Sequence, residues 1–203
     1  MINLLLLFII LVIFFGMVGY LRGWQREVIT MFGLVGGIAM LQRFAYDIVN
    51  LLNAVPPEGA TPEQLLDARR GQIFIQVGVF ALIAFFSYQI VGAMAVRISR
   101  GKLGERLRAT LERRVIGLVV GTINGYLLVG TFWGFLEYEP VPEGYAHLAP
   151  GVPYPFDPSV IIRPLADTPA FAFTEWLPLG ILDPNWWLVI FFLMFFFVII
   201  ALI

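Results

Sequence analysis

Long apolar runs separated by polar or proline-rich stretches organise this chain. Residues 4–18 are unbroken apolar and continue in kind to 21. Residues 28–52, 72–96 and 115–136 are three further runs, and 185–203 is almost wholly Trp, Phe, Leu, Ile and Val. About 20 apolar residues cross a bilayer as a helix, so the pattern predicts five transmembrane helices. Only Asn3 precedes the first run and Arg22 follows it, without the basic start and small-residue cleavage site of a signal peptide, so this run is read as a retained span. Between the runs lie a basic turn at 21–27, a loop at 54–71 with Pro56, Pro57 and Pro62, a basic segment at 97–114, and an outer stretch at 137–184. That last stretch holds ten of the thirteen prolines and one base, Arg163, among its acids. Within it, 159–165 and 171–177 are expected as short interfacial helices, with Trp176 as an anchor. The rest is expected as an extended, ordered path over the bundle.

The fourth run carries a regular signal of its own. Gly117, Gly121 and Gly125 are four apart, followed by Gly130 and Gly134. On a helix, residues four apart share a face, and a glycine stripe there lets another backbone approach closely in lipid. This helix is therefore expected at the centre of the bundle, with Gly19, Gly23, Gly33 and Gly37 supplying further close approaches. Asn124, beside Gly125, is expected to hydrogen-bond across helices, and a polar pathway through Asn124 and Thr122 is the sharper alternative. Arg43 and Asp47 lie one turn apart. Arg43 is about 24 Å along the helix from Glu27 at 1.5 Å per residue, which favours a self-paired couple near the far interface over an ion relay. Gln76 and Gln89 in the third run are expected to bond neighbouring helices.

Composition agrees with lipid as the solvent. Of 203 residues, 60% are hydrophobic and 13% charged, where soluble domains carry roughly a quarter charged residues. The chain has no cysteine, which removes disulfides, thiolate catalysis and zinc–sulfur or iron–sulfur sites, and a single histidine, His147. The net charge of −1 hides an asymmetry: Arg22, Arg26, Arg97, Arg100, Lys102, Arg106, Arg108, Arg113 and Arg114 follow the first and third runs. By the positive-inside rule the amino terminus faces out, the basic segments face the cytoplasm, and the carboxyl terminus ends inside. The expected fold is thus an all-α integral membrane protein of five spans, N-terminus outside and C-terminus cytoplasmic, with a Pro-rich outer loop. Leu103, Leu107 and Leu111 stripe the basic segment as an interfacial helix whose cations (Arg97 to Arg114) contact anionic lipid. Nucleic acid is disfavoured because the segment has no aromatic residues to stack on bases.

No catalytic set emerges. His147 shares its side of the membrane with Ser159, but no nucleophile elbow surrounds that serine. Glu137, Glu139 and Glu143 lack the spacing of a calcium loop. The glycine-rich stretches are followed by no Lys-Ser/Thr of a phosphate loop, and no span holds a histidine for haem. No metal or cofactor is expected.

Two stretches together resemble one family. Leu21-Arg22-Gly23-Trp24-Gln25-Arg26-Glu27 is similar to the Leu-Ile-Arg-Gly-Phe-x-Arg-Glu signature of colicin V production (CvpA-like) proteins. Arg114-Val115-Ile116-Gly117, followed by Gly121 and Gly125, resembles the Asp-Arg-x-Leu-Gly-x-x-x-Gly-x-x-x-Gly segment that opens that family's fourth helix. Arg113 stands where the family usually has Asp. The resemblance covers about residues 1–136, giving a four-helix CvpA-like domain (1–136), an outer loop (137–184) and a C-terminal helix (185–203). It implies a bacterial inner-membrane protein linked to toxin export and envelope maintenance, with no established catalytic chemistry. The expected function is a non-enzymatic multipass scaffold acting through helix packing, anionic-lipid contacts and other membrane subunits. The alternatives are an accessory subunit of a large respiratory or photosynthetic complex, or a channel or transporter using Arg43, Asp47, Gln76, Gln89 and Asn124.

Overall fold

The computed structural model describes residues 2–57, 59–99 and 111–202. Among the described residues, four helices are long and apolar enough to cross a membrane. They are α1 (Leu4–Arg22), α2 (Trp24–Leu51), α3 (Pro62–Ser99) and α4 (Leu111–Glu137). A two-stranded hairpin follows, β1 (Tyr138–Val141) and β2 (Gly144–His147), then α5 (Pro169–Thr174), α6 (Pro178–Ile181) and α7 (Pro184–Leu202). The helical membrane architecture stands, while the hairpin is an addition to the all-α expectation.

Local chemistry sets the helix boundaries. Asn3 caps α1 by accepting from Leu6 N at 3.1 Å. Gly23, at φ +84°, breaks α1 from α2, a conformation that costs glycine little because it lacks a Cβ. The third helix begins at Pro62, ten residues before its apolar run, because Thr61 and Gln64 form a reciprocal capping box (2.9 and 3.4 Å) with proline at the first helical position. Asp183 caps α7 through the backbone N–H of Asn185 (3.0 Å) and Trp186 (3.3 Å).

The α1 and α4 helices form the most extensive pair, running antiparallel. A Cβ on Gly121 would lie 2.6 Å from Phe15 O and 2.7 Å from Gly19 Cα, and one on Gly117 would meet Gly19 O. Only glycine permits that approach. Gly125 closes against Phe15 and Val12. The step from Gly125 to Gly130 turns the helix by about 140° relative to the stripe, so Gly130 and Gly134 address Pro178 and Leu179 of α6 instead. Gly33 and Gly37 receive Ser87 and the side chains of Phe80 and Ile83 from α3. Gly23, grouped with the packing glycines by sequence, has nothing within 4 Å of a Cβ position; its role is the helix break.

The core runs through Leu34, Ile38 and Leu41 of α2, Phe80 of α3, and Leu127, Trp133 and Phe135 of α4, and it continues into Leu177 and Trp187. Outward, Leu6, Ile10, Ile13 and Met17 of α1 and Phe74, Leu82, Phe85 and Phe86 of α3 are exposed. A surface this apolar is stable only against lipid or another apolar partner.

The segment after α4 differs from expectation in detail. Residues 159–165 form no helix; Ile161 bridges Ile2, and Ile2 N donates to Val160 O at 3.0 Å. That contact brings the amino terminus to the hairpin end of the bundle. The short helix expected at 171–177 is found as α5, set at 169–174 because Pro169 occupies its first helical position, and a further short helix, α6, starts at Pro178.

Candidate functional site

Two fully buried carboxylates, one at each end of the bundle, each gather a polar cluster. At the Gly23 end, Glu27 is fully buried in the first turn of α2. Arg22, the last residue of α1, donates from Nη1 to Glu27 Oε1 at 2.7 Å across the Gly23 break. Asn124 of α4 donates from Nδ2 to Glu27 Oε2 at 2.7 Å and to Glu27 O at 2.9 Å. The Arg22 guanidinium lies 4.8 Å over the Tyr88 ring and donates to Tyr88 O at 3.4 Å, bringing in α3. One carboxylate thus ties four helices. A buried charge in this setting needs both an opposite charge and hydrogen bonds, and Glu27 has both. Tyr88 Oη and Asn124 Oδ1 are buried without a partner among the described residues.

At the hairpin end, Glu137 closes α4 and is also fully buried. Arg163 donates to Glu137 Oε2 from Nε at 3.0 Å and from Nη2 at 2.9 Å, and Tyr154 donates its hydroxyl to Oε1. Trp133 Nε1 in turn donates to Tyr154 at 3.2 Å. The remaining guanidinium protons of Arg163 go to the carbonyls of Leu148 (2.9 Å), Ala149 (2.6 Å) and Val152 (3.0 Å). Arg163 therefore pins the chain after the hairpin to the end of α4. His147 Nε2 stands 3.6 Å from Glu137 Oε2 and 3.3 Å from Thr174 Oγ1, its ring 4.9 Å from that of Tyr138. His147, exposed on one side, thus stands at the edge of this cluster.

Other bonds fasten the same end. Arg69 of α3 donates to the carbonyls of Phe135 (3.0 Å) and Tyr138, satisfying acceptors at the end of α4 from a different helix. Arg70 donates to Pro155 O. Tyr145 donates to Gln76 Oε1 at 2.7 Å, and Tyr138 to Thr174 O at 2.9 Å. Burial pushes the Tyr138 phenol up to about 12. Burial, with the Glu137 charge beside it, also raises Tyr154 well above the ordinary tyrosine range. Each disfavours a phenolate in a poorly solvated setting.

Several residues singled out by sequence take other places. Arg43 and Asp47 are exposed and form no ion pair among the described residues, which corrects the self-paired couple. The reason is level: Gln42 already contacts Leu179 of the hairpin end at 2.9 Å, so the last turns of α2 extend past the end of α4. Gln76 is committed to Tyr145, and Gln89 is exposed. Thr122 is exposed and bonds Leu118 O at 2.8 Å on its own helix, away from buried Asn124, so these two do not share a pathway. Arg26 is exposed. Arg114 lies over the Tyr20 ring at 5.7 Å. Arg100, Lys102, Arg106 and Arg108 lie outside the described residues, as do the side chains of Arg97 and Arg113. Glu137 faces inward while Glu139 and Glu143 are exposed, and among the described residues no three His, Asp or Glu side chains converge on a metal position.

Sequence reasoning missed Arg69, Tyr88, Tyr154 and Arg163. The one base in an acidic stretch was the available signal for Arg163, since a single cation among carboxylates has many candidate partners but only one buried one. Tyr88 and Tyr154 carry no comparable signal.

The motif residues lie together at the α1–α2 break: Arg22 pairs with Glu27, Glu27 accepts from Asn124 of α4, and a Cβ on Gly117 would be 3.1 Å from Trp24 N. No curated protein and no solved structure matches the chain. The family model for colicin V production protein matches residues 5–152, from the first span through the hairpin, and the chain belongs to that family.

Proposed function

We propose that this protein is a non-enzymatic scaffold of the bacterial inner membrane, working through helix packing and lipid contacts. The observation that carries this reading is the use to which its buried charges are put. Glu27 is consumed by Arg22 and Asn124, and Glu137 by Arg163 and Tyr154, so both carboxylates lock helices and loop together. Groups committed to one another in this way are poorly disposed for proton transfer or nucleophilic attack. The apolar outer faces of α1 and α3 supply contact surface for lipid and neighbours.

In this reading α7 is a fifth span. It runs antiparallel to α2: Pro184 lies beside Gly144 and Gln42, while Phe191 stacks on Phe32 at 4.9 Å and Phe195 follows at 6.2 Å. Its 19 residues thus accompany α2 back toward the Gly23 end. The positive-inside rule then puts the hairpin end outside and the basic segment, with anionic lipid, in the cytoplasm. A reporter fused after Gly151 should behave as exported; cytoplasmic activity there would overturn the orientation.

Recruitment to a larger membrane complex is the second reading. It is favoured by the exposed aromatic face of α7, with Trp186, Phe192 and Phe196 all turned outward. Purification in mild detergent with mass spectrometry tests the scaffold role. Stable co-purifying membrane subunits support it, and migration as a small free protein counts against it.

A further inference from the structure

We propose that residues 169–182 form a re-entrant loop, which enters the leaflet on the hairpin side and presents Trp176 to lipid acyl chains. The inference rests on α1 and α4 as spans and is independent of their orientation.

The length of α1 sets the depth scale. Its 19 residues measure about 28 Å at 1.5 Å each, no more than the roughly 30 Å of bilayer hydrocarbon. Almost all of α1 therefore lies in hydrocarbon, and Phe8 stands about 6 Å inside its Leu4 end. The glycine contacts fix how α4 runs beside it. Gly121 meets Phe15 and Gly19, Gly125 meets Val12 and Phe15, and a Cβ on Gly130 would lie 3.6 Å from Phe8. That same Cβ would lie 2.7 Å from Pro178, which places Pro178 at the level of Phe8. The Phe173 ring is 5.0 Å from that of Phe8. Tyr126, about 6 Å deeper along α4 than Gly130, donates its hydroxyl to Trp176 O.

The backbone of the segment is equipped for that depth. Hydrocarbon offers no water to a carbonyl, so irregular backbone occurs there only where protein supplies the partners. Thr174 O accepts from Tyr138 at 2.9 Å, and Trp176 O accepts from Tyr126. Pro178 O accepts from Trp187 Nε1 at 3.1 Å, and Leu179 O from Gln42 at 2.9 Å. These donors come from β1, α4, α7 and α2. Within the segment, Leu177 O accepts the N–H of Gly180 at 2.9 Å and of Ile181 at 3.0 Å. A loop in water draws such donors from solvent; here the surrounding elements provide them.

Trp176 shows which way the loop faces. Leu177 beside it is fully buried, whereas Trp176 is 62% exposed although its carbonyl is fastened to α4. An indole held at this level outside the bundle meets acyl chains, and its N–H suits the more polar region just above.

The chain has no cysteine, so a single introduced thiol carries a nitroxide label without background. Trp176→Cys would be labelled beside two references, Ile10→Cys on the exposed face of α1 and Val152→Cys, exposed after the hairpin. Each full chain would be studied in lipid nanodiscs, whose two faces are both open to solvent. Spin relaxation by oxygen, which concentrates in acyl chains, would be compared with relaxation by a water-soluble nickel chelate. The label at 176 should respond as at 10, with the oxygen-to-chelate ratio several-fold higher than at 152. A response like that at 152 would overturn the proposal. So would a label shielded from both reagents, because protein rather than lipid would then cover this face. Adding Tyr126→Phe frees the carbonyl of residue 176 and should raise chelate access there several-fold; no rise would overturn the part given to the carbonyl bonds. A reversed orientation in the membrane would leave every one of these results unchanged, so the two readings fail separately.

Discussion

Glu27 and Glu137 sit at opposite ends of the bundle, both fully buried and both neutralised by an arginine. They differ in how far along the chain their partners lie. Arg22 is five residues from Glu27 across a glycine break, so folding of the first two helices nearly builds that pair by itself. Arg163 is 26 residues from Glu137, and Tyr154 is 17. Ordering that much chain costs conformational entropy, offset by the carbonyl bonds that Arg163 also makes. The Gly23 end is thus a junction between helices. The hairpin end is a clasp that holds a loop, and it is the end more exposed to damage by one substitution.

Removing the clasp should have the largest effect. Arg163→Met strands Glu137 in a buried site and should destabilise the protein by about 3–5 kcal/mol, seen as a lower thermal midpoint in detergent. Adding Glu137→Leu should recover much of that loss. A double variant no better than Arg163→Met alone would mean that the guanidinium's loop carbonyls, and not the carboxylate, dominate.

Gly121→Leu tests the helix pair that carries the junction. A side chain there meets Phe15 O and Gly19 backbone, which cannot move as a side-chain tip can. A loss of about 1–3 kcal/mol or more is expected, with poor accumulation in the membrane, whereas His147→Ala should leave accumulation unchanged. The opposite outcome would remove the packing account. Asn124→Ala should cost about 1–3 kcal/mol by leaving Glu27 Oε2 without its donor, less than Arg163→Met because Arg22 still neutralises the charge.

Alkaline titration tests the clasp through its tyrosines. Tyr138 is raised to about 12 and Tyr154 is raised further in the same direction, while an unfolded tyrosine titrates near 10. The folded state therefore holds these protons when the unfolded state has lost them. Stability from this source is complete below about pH 10 and falls as pH rises toward and through about 12. Phenolate absorbance should accordingly appear late for these two residues, and Tyr154→Phe should reduce the alkaline loss of stability. The smallest effect is expected at Arg43→Ala or Asp47→Ala. Both are exposed and form no ion pair among the described residues, so each should change stability by under about 0.5 kcal/mol.

The junction was legible in the sequence because its parts are periodic or adjacent. Arg22, Gly23 and Glu27 sit together, and Gly117, Gly121 and Gly125 repeat every four residues on one helical face. What those letters do not contain is the partner across space: that Asn124 reaches Glu27, that Tyr88 underlies Arg22, or that Gly130 and Gly134 turn to α6. The clasp was hidden more fully. A proline-rich stretch has no period, so its hairpin, the failure of 159–165 to become helix and the burial of Arg163 depend on contacts between distant residues.

By itself the sequence determined the solvent, the helices and the family, because hydrophobicity and repeat spacing are local properties summed along the chain. Tertiary structure decided where each buried charge finds its opposite, and which loop carbonyls find donors on the helices. Those outcomes depend on burial, and burial is a property of the packed molecule.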